Sequence, residues 1–196
     1  MANFKDSPHF SIHNDYYTPK HAWADIKDII IDNFGTIKNG GNPTIYEAFL
    51  LNSNEQSKKY LQELGFNTVG DKTIDFLNND LPKDTYDIVV SNPPFERIKS
   101  YAKRKQNLKY RCIEKLLTNE KPFIILLNST NIFSRWFKDL TAGRSQDITF
   151  IFPSKKINYN KYKEGGEEEM VSSNNCSFNS IYVCYKMGYN KSNLWI

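Results

Sequence analysis

Residues 86–95 have the sequence Tyr86-Asp87-Ile88-Val89-Val90-Ser91-Asn92-Pro93-Pro94-Phe95. The apolar, β-branched first half predicts a short buried strand. The two prolines that follow fix two consecutive φ angles and supply backbone carbonyls without N–H groups. The stretch therefore predicts a strand that ends in a stiff loop, with an amide and an aromatic ring at its carboxyl end. In open α/β sheets, ligands bind at that edge.

This loop is chemically suited to hold a planar amine. An amine on an aromatic ring can donate its two N–H bonds to the Asn92 side-chain oxygen and the Pro93 carbonyl, while the ring stacks on Phe95. Such bonding draws the nitrogen toward tetrahedral geometry and directs its lone pair outward. The structural alternative is a Pro-Pro turn that ends a strand and has no chemical role.

The sequence of Asn92, Pro93, Pro94 and Phe95 resembles the catalytic motif of the S-adenosylmethionine-dependent amino-methyltransferases. That superfamily modifies the exocyclic amine of adenine or cytosine, the amine of guanine, or a glutamine side-chain amide. The resemblance covers roughly residues 15–186 and implies S-adenosylmethionine as the cofactor. It also implies an α/β, Rossmann-like class I methyltransferase fold: a mostly parallel twisted sheet with an antiparallel last strand and helices on both faces.

A second motif precedes the first predicted helix. Thr18 can cap that helix and Pro19 can occupy its first position, and apolar residues at helical spacing extend it to about Gly35. Tyr17, Thr18 and Pro19 also resemble the motif that opens many adenine methyltransferases, where it holds the methionine part of the cofactor. The order of the two motifs is that of the gamma group of these enzymes. The alternative for this motif is a capped amphipathic helix and nothing more.

Residues 44–69 predict a strand, a loop, a helix with a Ser53–Gln56 capping box, and a second strand. This succession is a parallel crossover unit. In the family, its first loop and the end of its second strand hold the cofactor. The resemblance assigns this role to Glu47, Phe49, Asn52, Asp71, Asp75 and Phe76.

The first loop departs from the family pattern. Leu50, Leu51, Asn52 and Ser53 stand where the family has glycines. Asn52 can replace a glycine because asparagine tolerates the left-handed conformation. Asp71 is the candidate for the ribose hydroxyls, and Asp75 with Phe76 for the adenine. The alternative is that both aspartates are solvated loop residues.

The rest of the chain predicts three more strands, at 122–128, 147–152 and 178–186, with the last two paired antiparallel. Thr130 or Asn131 is predicted to cap a short helix through Leu140. Residues 155–169 are polar and predict a long surface loop. The predicted organisation is a loosely ordered N-terminus (1–14), one domain (15–186) with a polar surface insertion (155–176), and a C-terminal tail (187–196).

Positive charge is concentrated directly after the motif. The net charge is only +4, but residues 97–115 contain eight Lys and Arg residues and one acid. Cations at this place can neutralise phosphates, whereas the alternative is a solvated helix face. The predicted nucleic-acid-binding residues are Arg97, Lys99, Lys103, Arg104, Lys105, Lys155 and Lys156.

The chain of 196 residues has neither an apolar run of membrane-spanning length nor a signal peptide. Its three cysteines lack metal-type spacing, which predicts reduced thiols, no metal site and a cytoplasmic, non-secreted protein. The short, Asn- and Lys-rich style also resembles small methyltransferase-like proteins of giant DNA viruses, and this would place the protein in the cytoplasm of a host cell.

Three hypotheses follow from these patterns. The first is a methyltransferase that acts on the exocyclic amine of adenine in DNA or RNA. The second, favoured by residues 50–53, is a catalytically degenerate methyltransferase fold that serves as a nucleic-acid-binding, regulatory or virion-associated subunit. The third is methylation of a protein glutamine. Because the chain is too short for a usual target-recognition domain, a protein partner could supply specificity.

Overall fold

The computed structural model describes residues 17–34, 42–50, 55–71, 76–93, 108–162, 170–172, 178–188 and 193–196. The helices in these segments are α1 (Lys20–Ala24), α2 (Lys27–Phe34), α3 (Gln56–Glu63), α4 (Leu108–Asn119) and α5 (Arg135–Thr141). The strands are β1 (Thr44–Tyr46), β2 (Asn67–Val69), β3 (Ile88–Ser91), β4 (Phe123–Asn128), β5 (Ile148–Phe152), β6 (Asn160–Tyr162), β7 (Met170–Ser172), β8 (Ser180–Tyr185) and β9 (Asn193–Trp195).

Seven of the described strands form one sheet in the order β2-β1-β3-β4-β8-β5-β9. Strands β1 to β4 are parallel, β8 lies antiparallel between β4 and β5, and β9 is parallel to β5. The predicted antiparallel pairing of 147–152 with 178–186 is confirmed by the register from Ile148↔Tyr185 to Ile151↔Tyr182. The predicted fold class is confirmed, and it places the carboxyl ends of β1, β2, β3 and β4 at one edge.

Two apolar cores cover the two faces of this sheet. Side chains alternate between faces along a strand, so Val89 packs in one core while Ile88 and Val90 pack in the other. Helices α4 and α5 close the first core through residues such as Cys112 and Phe137. Helices α1, α2 and α3 close the second. In α4, Leu108, Cys112, Leu116 and Leu117 are all buried.

The single helix predicted after Thr18 is two helices. Helix α1 ends at Ala24, and α2 begins at Lys27 after a turn. Thr18 does not cap α1, since the N-cap residue is Pro19 and no side chain caps it. The helix is instead fastened to the sheet by packing and by one hydrogen bond. Trp23 is fully buried, and the Tyr182 hydroxyl of β8 donates a hydrogen bond to the Ala22 carbonyl at 2.6 Å.

Two other helix starts differ from the predictions. The N-cap residue of α3 is Glu55, which adopts a left-handed conformation with φ 43°, rather than Ser53, which lies outside the described residues. Helix α5 begins after Ser134, whose hydroxyl accepts a hydrogen bond from the Phe137 N–H at 3.3 Å. The hydroxyl thus satisfies a free backbone donor of the first turn, the role that the sequence had assigned to Thr130 or Asn131.

The predicted surface insertion is partly buried and partly paired. Ile157 and Tyr159 are buried in the second core. Strands β6 and β7 form a separate antiparallel ribbon. Asn160 also forms a bridge with Tyr17, in which each backbone N–H donates to the other residue's carbonyl at 2.9 Å. Apolar residues interspersed in a polar stretch therefore anchor this segment beside the N-terminal motif.

The predicted C-terminal tail contains strand β9, which pairs with β5 from Phe150↔Asn193 to Phe152↔Trp195. Backbone hydrogen bonds to β5 hold this three-residue strand, and such bonds do not depend on a particular side-chain pattern. The sequence therefore gave no clear signal for the strand. Of the cysteines, Cys112 and Cys184 are buried thiols that form no disulfide with each other, and Cys176 lies outside the described residues. None of the helices in the described segments has both the length and the apolar character needed to cross a membrane.

Candidate active site

The candidate site lies at the carboxyl edge of the parallel strands. Strands β1 and β3 are neighbours, with Ile45 opposite Ile88 and Tyr46 opposite Val89. Glu47 directly follows β1, and Asn92 directly follows β3. Because parallel neighbours end at the same edge, residues 45 positions apart in the chain become adjacent.

Glu47 is a buried carboxylic acid with one oxygen bonded and one free. Its Oε1 accepts hydrogen bonds from the Ser91 hydroxyl and from the Phe49 N–H, the latter at 3.2 Å. Its Oε2 is buried and has no hydrogen-bond partner in the described part of the chain. The residue is only 2% exposed, and this burial raises the pKa of Glu47 to about 7, against the lowering effect of its hydrogen bonds. Ser57 is near enough to lower this pKa too, although no hydrogen bond of normal geometry joins the two side chains.

Asn92 has the same division between a bonded and a free atom. Its Nδ2 donates to the Thr18 hydroxyl oxygen at 3.0 Å, which joins the two sequence motifs. Its Oδ1 is buried and has no partner among the described residues. Since the amide nitrogen is held by Thr18, the amide oxygen is fixed in orientation as a free acceptor. Leaving a buried acceptor unpaired is unfavourable by about 1–3 kcal/mol, so it marks a place where a ligand donor is expected.

Both free oxygens belong to residues that line one small cavity of about 30 Å³. Its lining residues are Tyr17, Thr18, Glu47, Phe49, Leu50, Glu55, Gln56, Ser57 and Asn92. This volume is about that of one water molecule. The arrangement therefore brings together donors and acceptors from four separate segments, but a larger ligand requires the cavity to widen.

The backbone of Gly70, which follows β2, packs directly against the backbone of Glu47. Gly70 has a φ of 130°, and a Cβ at this position would lie 2.4 Å from the Glu47 carbonyl oxygen. Only glycine allows that approach of the two backbones. The next residue, Asp71, is exposed and is not among the residues that line the cavity. Phe76 is buried, and its ring meets the Phe49 ring edge-on at 4.6 Å.

The structure thus brings five of the predicted site residues around one cavity: Tyr17, Thr18, Glu47, Phe49 and Asn92. Pro19 and Pro93 are buried beside them in the chain, and Lys155 and Lys156 are exposed after β5. The other predicted residues lie outside the described segments: Asn52, Asp75, Pro94, Phe95, Arg97, Lys99, Lys103, Arg104 and Lys105.

Sequence reasoning missed Ser91 as a site residue. Its hydroxyl donates to Glu47, and its Oγ also accepts from the Phe49 N–H at 3.2 Å. It therefore ties the end of β3 to the loop after β1. One signal was present: Ser91 is the polar residue that ends a strand whose other positions are all apolar and buried. A fully buried hydroxyl requires a partner, and the partner was a carboxylate that the sequence had already singled out.

Comparisons with known proteins address the fold. No protein-family model matches the sequence, and no curated protein matches it. Among solved structures, the chain is similar to a putative class I S-adenosylmethionine-dependent methyltransferase from Listeria monocytogenes, with 13% identity and a TM-score of 0.58 over 97% of this chain and 68% of that chain. It also matches a DNMT2 mutant from Spodoptera frugiperda, with 11% identity and a TM-score of 0.41 over 87% of this chain and 51% of that chain. The first match agrees with the strand order and the antiparallel β8: the chain has the Rossmann-like fold of class I methyltransferases.

Proposed function

We propose that this protein is an S-adenosylmethionine-dependent methyltransferase that acts on the exocyclic amine of adenine in DNA or RNA. The observation that carries the proposal is the Asn92 side-chain oxygen, a buried acceptor without a partner among the described residues, at the carboxyl end of β3. It stands beside a buried carboxylic acid in the same cavity. A target amine would supply the missing donor to Asn92.

The residues around the cavity fit the cofactor in chemistry. S-adenosylmethionine supplies an electrophilic methyl group and carries positive charge. The Glu47 carboxyl has a free oxygen that can accept from an ammonium group, and Thr18 and Tyr17 line the same cavity. The Phe49–Phe76 pair provides an aromatic surface at the same edge, and Asp71 follows the neighbouring strand.

The cavity is too small to hold the cofactor. About 30 Å³ is far below the roughly 300 Å³ or more of ordinary ligand sites. Cofactor binding must therefore widen this cavity, whose lining includes Leu50, one of the residues at the place of the family's glycines. We expect weak binding for this reason, since part of the interaction energy is used in opening the cavity.

In the proposed mechanism, the protein contributes mainly orientation. Asn92 Oδ1 and the Pro93 carbonyl accept the two N–H bonds of the target amine, and Thr18 keeps the Asn92 amide in the orientation that this requires. Phe95 stacks on the extruded base, as enzymes that modify bases require. The two oxygens also stabilise the positive charge that develops on the nitrogen during transfer. The extra proton leaves after transfer, so no strong general base is needed.

The degenerate-fold alternative has one observation in its favour, the small volume of the cavity, about 30 Å³. Calorimetric titration with S-adenosylmethionine separates it from the enzyme. Measurable heat at millimolar ligand supports the enzyme, whereas no detectable heat supports a nucleic-acid-binding or regulatory role.

The direct test is transfer of labelled methyl from S-adenosylmethionine to adenine-containing oligonucleotides, both DNA and RNA, single- and double-stranded. Transfer to any of them, with the label on the adenine amine, is the expected result. A peptide with an accessible glutamine serves as the competing substrate. Transfer to the peptide alone would replace the substrate assignment with glutamine methylation.

The proposed polymer contact gives a separate prediction. Substitution of Lys103, Arg104 and Lys105 by Ala should weaken oligonucleotide binding and lower the slope of log Kd against log salt, by about 0.7 to 0.9 for each phosphate that the protein no longer neutralises. The measurement is fluorescence anisotropy between about 50 and about 200 mM salt. The matched control replaces Lys59, an exposed lysine of α3, which lies on the other face of the sheet. An unchanged slope in the triple variant would mean that the basic segment is a solvated face.

A further inference from the structure

Phe133 is unusual in its exposure. It is 84% exposed, and no other large apolar side chain of the described residues is exposed. It lies between β4 and α5, in a short connection that the Asn128 and Ser134 side chains hold through backbone hydrogen bonds. A single exposed apolar side chain is common on protein surfaces, so the exposure of Phe133 becomes informative only through what lies beside it.

A groove of about 670 Å³ runs from Phe133 along α5, and we call it the α5 groove. Apolar side chains line it from α5 and β5, among them Phe137, Ile148 and Phe150. Arg135 and Lys138 are exposed side chains of its wall. This volume is more than twenty times that of the cavity at Asn92, so the groove admits a base or a nucleotide without rearrangement.

The Phe133 end of the α5 groove follows the carboxyl end of β4, at the sheet edge where Asn92 lies, and the groove extends from there toward Ile148 at the start of β5. Strand β4 is the parallel neighbour of β3, with Ile125 opposite Ser91, and it continues to Asn128. Three further residues at about 3.3 Å each bring the end of β4 roughly 10 Å beyond the level of Ser91. That is the length of about three stacked nucleotides at roughly 3.4 Å each. The connection with Phe133 begins there, within reach of a strand whose target base lies at Asn92.

The groove lining carries two cations, Arg135 and Lys138, and one carboxylate, Asp139, so its net charge is positive. Arg135 has its Nε 3.7 Å from Asp139, an exposed pair that leaves the guanidinium open to a second partner. Lys138 makes no ion pair within the described segments. Helix α4, which begins where the basic segment 97–107 ends, also packs beside α5, with the Tyr110 and Trp136 rings 6.2 Å apart. The first turns of α4 and α5 therefore lie next to each other.

We propose that the α5 groove binds the single-stranded nucleic acid that flanks the target adenine. Phe133 stacks on a neighbouring base, and Lys138 and Arg135 contact the adjoining phosphates. An exposed aromatic ring beside exposed cations is the combination by which proteins hold single strands without regard to sequence. This inference rests on the proposed function and adds to it: the substrate is single-stranded, or is opened on binding, and is held on both sides of the reacting base.

The test is oligonucleotide binding by Phe133→Ala in the full chain, with a labelled single-stranded 12-mer that contains one adenine. The expected result is a Kd raised by about 5-fold or more, the lower end of the effect of losing one stacked base. Phe133→Trp should bind as tightly as the wild type, because the larger ring also stacks. Lys138→Ala should lower the salt slope by about 0.7, and its matched control, Lys59→Ala on α3, should not.

Thermal unfolding of each variant shows whether a loss of binding is caused by a loss of the fold. An exposed ring contributes little to stability, so Phe133→Ala should unfold at the wild-type temperature. If the wild type binds oligonucleotides and Phe133→Ala binds equally well, the groove is not a strand site and only this inference is wrong. If the wild type binds no oligonucleotide at all, the proposed function is wrong as well. A preference of the wild type for duplex over single strand, unchanged in Phe133→Ala, would also overturn the inference.

Discussion

Asn92→Ala should reduce methyl transfer by a factor on the order of a hundred or more while the protein stays folded. The substitution removes the only side-chain acceptor that we assign to the target amine, and it leaves the Thr18 hydroxyl without its 3.0 Å donor. Loss of an acceptor for a buried N–H is unfavourable by about 1–3 kcal/mol, and misplacement of the lone pair at the reacting centre adds to that. The assay is single-turnover transfer of labelled methyl to the preferred oligonucleotide.

Two further variants separate the chemistry of Asn92 from its structural role. Asn92→Asp keeps an acceptor oxygen and loses the N–H that bonds Thr18, so it should retain more activity than Asn92→Ala. Thr18→Val keeps Asn92 but removes the acceptor that orients it, and should give an intermediate rate. The free energy of unfolding should change by only about 1 kcal/mol in each variant, since strand β3 is held by buried Ile88, Val89 and Val90. Wild-type turnover by Asn92→Ala would contradict the mechanism.

Glu47→Gln should stabilise the protein above neutral pH and impair cofactor binding. Burial raises the pKa of Glu47 from 4.5 to about 7, so the folded state binds its proton more tightly than the unfolded state does. The unfolding free energy therefore falls as the pH rises from about 4.5 to 7, and above that range the wild type carries a penalty of about 3 kcal/mol. Glutamine is neutral at every pH and can still accept from Ser91 and the Phe49 N–H.

The measurement is thermal unfolding at pH 5 and pH 8. The variant should match the wild type closely at pH 5 and unfold several degrees higher at pH 8. Binding of S-adenosylmethionine should tighten with rising pH in the wild type, because the ionised carboxylate attracts the cationic cofactor, and should lose this dependence in Glu47→Gln. The matched control is Glu63→Gln, which removes an exposed carboxylate that pairs with Lys20. Equal stability of wild type and Glu47→Gln at pH 8 would show that Glu47 ionises without destabilising the fold.

The sequence predicted the sheet well because its strands carry strong local signals. Strand β4 is apolar at every position but its last and is buried on both faces, which only the centre of an α/β sheet requires. The antiparallel orientation of β8 was expected from the resemblance to the methyltransferase fold, which has an antiparallel last strand. Strand β9 was not, since a three-residue edge strand depends on the ladder that β5 offers rather than on its own residues.

The sequence predicted several residues of the candidate site, but it did not predict the hydrogen bonds that join them. The motif around Asn92 and the motif around Thr18 were each visible, and Glu47 was placed by the end of its strand. Nothing in the sequence shows that Asn92 donates to Thr18, or that Ser91 bonds Glu47, because each bond joins residues more than 40 positions apart. Their positions are set by which strands are neighbours. The helix caps were mispredicted for a related reason: the Thr18 hydroxyl is engaged by Asn92 rather than by the first turn of α1.

The bridge between Tyr17 and Asn160 has a consequence for the order of events in folding. The amide of Asn92 is oriented by Thr18, Thr18 is held next to Tyr17, and Tyr17 is paired with a residue 143 positions later. The Tyr182 hydroxyl, on Ala22, closes a loop of 160 residues. Contacts of such sequence separation form late, because the entropy of closing the chain must be overcome first. A chain still emerging from the ribosome can therefore build β1 to β4 and their helices, yet it cannot present an aligned Asn92 until its last third has been made. The orientation of the Asn92 amide would then be among the last features that this chain acquires as it is made.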